Sequence, residues 1–265
     1  MTEGAKGTRY TKDGRRRAPQ HLIGSGYVKP FPWIRAGLGV AFMTAFVVTV
    51  YRRSNQVTPQ DQFMKKIKVQ PYGVMGNQMS LTGTLKQETH APDEATAITD
   101  PADLSVLLSS ASKGVGTSGA IYKWLGLTGR FPADVLLAIS KYCDAVYHQY
   151  PGEKHVIHVV SPDFRDGAWS ERDATIELSR AYRNMLHEFV QSECDVLRMV
   201  PLSDGVLSGA LYNQMGPITH EALKLAFEQL HIFDKEYVLR DEKKLNLCVF
   251  VNRDWDKYKN AFKYL

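Results

Sequence analysis

The chain has 265 residues, a formal net charge of +5 and three cysteines. Much of the positive excess falls early in the chain, so composition argues against a nucleic-acid-binding face on the remainder. Cys143, Cys194 and Cys248 sit in apolar or helical context without paired spacing, which excludes a disulfide framework or a zinc site and leaves buried free thiols.

Residues 1–32 are basic and rich in proline and glycine: Lys6, Arg9, Lys12, Arg15, Arg16, Arg17 and Lys29 stand against Glu3 and Asp13. Such a composition buries no core and reads as an extended tail. It suits attachment to anionic lipid, contact with a partner protein, or an Arg-rich, acid-poor import signal. Pro19, Pro30 and Pro32 argue against one long amphipathic helix. Residues 33–53 read as a single transmembrane helix. Ala36 to Tyr51 carries no charge, Trp33 and Tyr51 sit where interfacial aromatics belong, and Arg52 and Arg53 close the far end. The run spans about 24 Å at roughly 1.5 Å per residue, and Trp33 and Ile34 extend it if Arg35 snorkels. A soluble helix would show a polar face, and here only Thr44 and Thr49 could supply one. No small-residue cleavage site follows, so the anchor is expected to be uncleaved. Residues 54–68 read as a basic linker in which Lys65, Lys66 and Lys68 form a second cluster. Both flanks are positive, so charge asymmetry leaves the topology open.

Residues 69–265 are enough for one domain with a substantial core. Pro71-Tyr72-Gly73 and Gly76-Asn77 are turn signals, and Met79 to Leu85 reads as an edge strand or hairpin arm. The apolar run Leu104 to Leu108 predicts a buried strand that breaks into a loop of small residues, Ser109 to Gly119. Helices are expected from Ala120 and over Pro132 to Tyr147. The second would carry Val135, Leu136, Ile139, Tyr142, Cys143 and Val146 on one stripe. Val156 to Val160 predicts a strand. Glu171 to Gln191 predicts the longest helix, with Leu178, Ala181, Tyr182, Met185, Leu186 and Phe189 at helical spacing. A strand over Val196–Leu202, a helix over Thr219–Leu230, a strand over Leu245–Val251 and a closing helix over Asp254–Leu265 complete the chain. Strands alternating with helices imply a three-layer α/β/α sandwich around a mostly parallel sheet.

Several segments carry a family resemblance. Gly116-Thr117-Ser118-Gly119-Ala120-Ile121-Tyr122 resembles the Gly-Val-Asp-Gly-Ala-Ile-His segment of macrodomains. Val156-Ile157-His158-Val159-Val160-Ser161-Pro162 is similar to that family's Val-Ile-His-Thr-Val-Gly-Pro strand, and Ala181 to Leu186 resembles its tyrosine-rich helix. Leu202 to Gly209 resembles its Ile-Ser-Thr-Gly-Ile-Phe-Gly loop, and Ile218 to Leu223 fits the helix start that follows. The resemblance implies a macrodomain-like fold and a site for ADP-ribose or a related nucleotide. It places the diphosphate between two glycine-rich loops, with Gly114, Gly116, Ser118 and Gly119 in the first and Ser203, Gly205, Val206, Leu207 and Gly209 in the second. Glycine lets the main chain approach a phosphate, and a following helix N-terminus favours negative charge.

The chain departs from the family pattern at the same site. The nearest equivalent of its Gly-Asp-Ile-Thr is Gly83-Thr84-Leu85, without an acid. Its Asn-Ala-Ala-Asn loop is read at Ser109-Ser110-Ala111-Ser112. The aspartate used by hydrolytic members is Ser118, and the loop phenylalanine is Leu207. A serine is no general base near neutral pH without an activating partner, so no catalytic residue is expected. No resident cofactor is expected either. His155 and His158 alternate across a strand with no carboxylate or cysteine at ligand spacing, and read as structural rather than metal-binding. The function expected from this combination is a non-catalytic accessory, structural subunit of a mitochondrial inner-membrane complex, such as a respiratory-chain complex or the ATP synthase. Its partners would be other subunits and anionic membrane lipid, not nucleic acid. The competing expectation is a membrane-anchored ADP-ribose reader or ADP-ribosyl hydrolase. A third places the same architecture in another organelle membrane, with the tail as a lipid-binding arm.

Overall fold

The computed structural model describes residues 57–263. The expected tail and membrane helix lie outside the described residues, among which no helix is long and apolar enough to cross a membrane. A compact unit begins at Val57, inside the stretch whose composition reads as a linker. Helix α1 (Pro59–Lys66) starts there because Thr58 and Asp61 form a reciprocal capping box ahead of a proline in the first turn. Strand β1 (Ile67–Gln70) follows directly. Phe63, Met64 and Ile67 are buried, so the lysines between them are the solvent face of a folded segment.

The sheet order is β1-β8-β7-β4-β6-β5, with β4 Thr96–Ala102, β5 Ala145–Tyr150, β6 Lys154–Val160, β7 Val196–Met199 and β8 Lys244–Cys248. All pairings are parallel except that of β5, an antiparallel edge strand on β6. β4 and β6 are buried along nearly their whole length, which requires cover on both faces. Helices α5 (Glu171–Ser192) and α6 (Met215–Gln229) pack on one another, and α5 packs on β4, β5 and β6. Helices α3 (Gly116–Leu125) and α4 (Ala133–Ala138) pack on β4 and β5. The connections through α5 and α6 step across the sheet in the direction opposite to the one through α3 and α4. Right-handed crossovers therefore put the two sets on opposite faces. A hairpin of β2 (Asn77–Met79) and β3 (Leu85–Gln87) is a separate small sheet. Helices α7 (Ile232–Leu239) and α8 (Trp255–Ala261) complete the unit. Core residues run from Phe63 to Phe262, so residues 57–265 carry a core of their own.

Three expectations need correction. The run Leu104 to Leu108 is helix α2 (Leu104–Ser109), not a strand. The Asp103 carboxylate accepts from the amides of Ser105 and Val106 and so caps a helix, in which Leu107 is the buried residue. The buried strand lies one step earlier, as β4, where Thr99, Asp100 and Pro101 hide its apolar character. The helix expected over Pro132–Tyr147 ends at Ala138. Cys143 then takes φ 68 and turns the chain into β5. The closing helix is preceded by a 3-10 turn at Asn252–Asp254, and α7 carries no counterpart in the sequence reading.

Candidate functional site

The chain leaves β4 for β6 on one side and returns to β7 on the other, so the connections switch direction at β4. In open α/β sheets, the crevice beyond the strands' carboxyl ends at such a point receives ligands. A hollow of about 280 Å³ lies there, walled by Pro101 of β4, Ser161 after β6, Pro201 after β7 and Phe250 after β8. A second hollow of about 420 Å³ adjoins it, and Ser161 and Leu207 line both.

The first expected loop ends at the N-terminus of α3. Val115 is the N-cap residue and offers no side-chain bond, which leaves the first-turn amides without a partner in the helix. Thr117 and Ser118 line the hollow, and the Ser118 hydroxyl donates to the Pro101 carbonyl at 3.3 Å. Glycine is required at position 119, where a Cβ would lie 2.6 Å from the Gly114 carbonyl oxygen. The second loop leads into short 3-10 turns over Gly205–Gln214, broken at Gly209 (φ 52), and Asp204 before the first of them makes no capping bond. Gly205 has φ 67, a conformation that excludes most side chains. The uncapped N-terminus of α3 and the backbone amides of the Gly205 turn thus border one hollow, and both favour an anion.

The second loop is tied down on both sides. The Ser203 hydroxyl donates to the Pro162 carbonyl at 2.7 Å, and the Phe164 amide donates to the Leu207 carbonyl at 2.8 Å. Asp204 pairs with the Lys257 ammonium at 2.8 Å, with both side chains largely covered. Lys257 lies 3.7 Å from Asp254, which accepts from the Tyr212 hydroxyl. Arg253, beside them, also lines the hollow. Two carboxylates are therefore matched by two cations, and attraction for a phosphate falls to the backbone amides.

Beneath the first loop lies a buried polar knot. Asp100 Oδ2 accepts from the Tyr122 hydroxyl at 2.7 Å and meets His158 Nδ1 at 2.7 Å. His158 Nε2 is 2.8 Å from the Tyr150 hydroxyl. Asp100 and His158 are fully buried. Burial, reinforced by the Asp100 carboxylate, raises both phenols far above their ordinary value, so Tyr122 and Tyr150 stay protonated. His155, on the other side of the strand, meets the Tyr147 hydroxyl at 2.6 Å. Ser161 Oγ, at the junction of the two hollows, is buried without a hydrogen-bond partner among the described residues.

Of the residues expected at the site, Ser118, Ser203, Gly205 and Leu207 line the first hollow, whereas Gly114, Gly116, Gly119, Val206 and Gly209 shape the loops without lining it. Two segments named by the resemblance line neither hollow. Gly83-Thr84-Leu85 sits at the hairpin between β2 and β3, while the sheet strand β1 runs into Pro71-Tyr72-Gly73. Ser109 to Ser112 straddles the end of α2 and a 3-10 turn, while the residues that leave β4 are Asp100-Pro101-Ala102-Asp103. Sequence reading passed over Ser161, Asp204, Phe250 and Arg253 as site residues. The one available signal was the apolar strand ending in the polar run Asn252-Arg253-Asp254.

Solved macrodomains are similar to this chain. The Oceanobacillus iheyensis macrodomain with ADP is 17% identical at a TM-score of 0.47, covering 65% of this chain and 85% of that one. The Trypanosoma brucei macrodomain in complex with ADP is 16% identical at a TM-score of 0.46, covering 77% of this chain and 72% of that one. No protein-family model and no curated protein matches the chain.

Proposed function

We propose that the cleft binds the diphosphate of a nucleotide of the ADP-ribose class and does not turn it over. The observation that carries this reading is the meeting of the uncapped α3 N-terminus and the glycine-bearing turn at Gly205 at one hollow beyond the carboxyl ends of the parallel strands. The unpartnered Ser161 hydroxyl adds a hydrogen-bonding group at the centre of the cleft, and Phe250 adds an aromatic wall for a base. The second hollow has room for the group beyond the diphosphate. The macrodomain-resembling segments Gly116–Tyr122, Val156–Pro162 and Leu202–Gly209 all contribute to this one cleft, which favours the reader expectation over that of a packing surface in a respiratory assembly. The charge-free run 36–51 then serves as the membrane anchor of a ligand-binding domain.

The reading without turnover is supported by how the acidic groups are engaged. Ser118 stands where the resemblance places a catalytic aspartate, and its hydroxyl is committed to Pro101. Asp204 is paired with Lys257, and Asp254 accepts from Tyr212. Asp103 caps α2, and its hydrogen bond from Ser105 holds its carboxyl below the usual range. Asp163 is clamped by Arg165 at 2.9 and 3.0 Å and is likewise lowered. A carboxylate held this way is a poor proton acceptor near neutral pH.

The test uses residues 57–265. ADP-ribose at a hundred times its Kd should add about 2.7 kcal/mol of stability and raise the melting temperature accordingly. Gly205→Glu, which puts a side chain and a charge at the loop, should abolish the rise. A mono-ADP-ribosylated substrate should remain intact. No rise with millimolar ADP-ribose or ADP would return the domain to a packing surface, and turnover lost in Ser118→Ala would make it an enzyme.

A further inference from the structure

The sheet edge opposite β5 carries a different kind of site. There β1 is the outer strand, and a hollow of about 540 Å³ opens among residues of α1, β1 and α8. Four lysines line it: Lys65, Lys68, Lys259 and Lys263. No carboxylate side chain among the described residues does. Lys65 and Lys68 make no hydrogen bond or ion pair among the described residues, and the Lys259 ammonium stands 5.9 Å from the Trp255 ring centroid. Lys66, between the first two in sequence, is spent elsewhere: its ammonium donates to the Arg240 carbonyl at 2.5 Å, at the end of α7. Folding therefore splits the linear cluster of lysines and recruits two more from the other end of the chain. The apolar part of the hollow comes from buried Met64 and Ile67 and half-buried Trp255.

We propose that this hollow seats the phosphate headgroups of an anionic phospholipid surface. Ammonium groups on flexible stems attract phosphate without a fixed fork geometry, which suits mobile headgroups. A tryptophan at the rim has the amphipathic ring that settles at headgroup level. In the sequence, the charge-free run Ala36–Tyr51 with Arg52 and Arg53 precedes α1, so the chain enters the folded unit through the helix that bears Lys65. The lysine face is thus continuous in sequence with the segment read as the anchor. A lysine close to an anionic leaflet contributes a binding factor of roughly fivefold, and the attraction is screened within about 10 Å at 0.1 M salt. The site is separate from the nucleotide cleft, and either proposal stands without the other.

The experiment is vesicle co-sedimentation of residues 57–265, which lack the apolar run. Wild-type protein should sediment with phosphatidylcholine vesicles doped with phosphatidylglycerol and not with phosphatidylcholine alone, and added salt should release it. Lys65→Glu/Lys68→Glu/Lys259→Glu should weaken retention by roughly a hundredfold or more, and the milder Lys→Gln triple variant by roughly that factor. Reversing Lys86 and Lys123, which lie off the hollow, should cost far less. All three lysines of the triple variants are exposed, so melting temperatures should be unchanged and confirm folding. Equal retention of wild type and triple variant would overturn the proposal, as would no retention on phosphatidylglycerol.

Discussion

The two loops of the nucleotide cleft look alike in sequence but are held by opposite means. Behind the first is the knot of Asp100, His158, Tyr122 and Tyr150, which is sealed from water and joined by hydrogen bonds. Behind the second is the group of Asp204, Lys257, Asp254 and Tyr212, at the cleft wall and joined mainly by charge. A buried acceptor depends on its donors because water cannot replace them. A pair near the surface is partly replaced by water and salt. The first loop is therefore a fixed wall, and the second has the looser attachment and a greater capacity to respond to a ligand.

Breaking the knot should have the largest effect. Asp100→Ala strands the Tyr122 hydroxyl and the inward nitrogen of His158 in a site with no solvent. Removing one partner of such a buried group costs about 3–5 kcal/mol. Tyr122→Phe, which deletes a single donor, should cost about 1–2 kcal/mol. Urea midpoints of the two variants give the ranking. A loss below about 1 kcal/mol for Asp100→Ala would mean that the knot is hydrated, and the contrast between the loops would disappear.

The second loop gives a smaller and salt-dependent effect. Lys257→Met keeps much of the stem that packs over the Tyr212 ring while removing the ammonium beside Asp204. The expected loss is about 1–2 kcal/mol at low salt, and it should shrink as salt rises. Nucleotide affinity should fall in the same variant, because Asp204 then carries an uncompensated charge at the phosphate site. Equal losses at low and high salt would show that packing, not charge, anchors this loop.

What the sequence disclosed follows the range of each interaction. Helix α5 was legible because its apolar stripe repeats over 22 residues, and the two glycine loops because each signal is local. The knot joins Asp100 to His158 across 58 positions, and the ion pair joins Asp204 to Lys257 across 53, so no local pattern announces either. Errors of element type came from single residues that override a pattern. Asp103 turned an apolar pentad into α2 by capping it, and Ile139 left a helical stripe for extended backbone before Cys143 turned the chain into β5. Lysine content hid α1, since a basic stretch suggests a linker until the burial of Phe63 and Met64 is seen. At the cleft, backbone groups do much of the recognition proposed here. Sequence marks the glycines that permit this and leaves open which amides face the ligand.

The smallest predicted effect concerns Asp103, which caps α2 at the entrance to the first loop. Hydrogen bonds from the Ser105 hydroxyl and from the amides of Ser105 and Val106 hold its carboxyl below the ordinary value of 3.8, against the opposing effect of partial burial. A carboxyl lowered by folding stabilises the folded state above its unfolded pKa and loses that contribution as pH falls through its folded pKa. Protonation should therefore weaken the α2 cap only under acid conditions, below about pH 4. Asp103→Asn keeps a side-chain oxygen that serves as an N-cap, so its cost at neutral pH should be no more than a few tenths of a kcal/mol. What it removes is the titration. Stability measured by urea from neutral pH down to the acid range should fall less steeply in the variant, with the two curves converging at the acid end. Parallel curves would place the acid sensitivity elsewhere, with the Asp163–Arg165 clamp at the rim of the second hollow as the next group to neutralise.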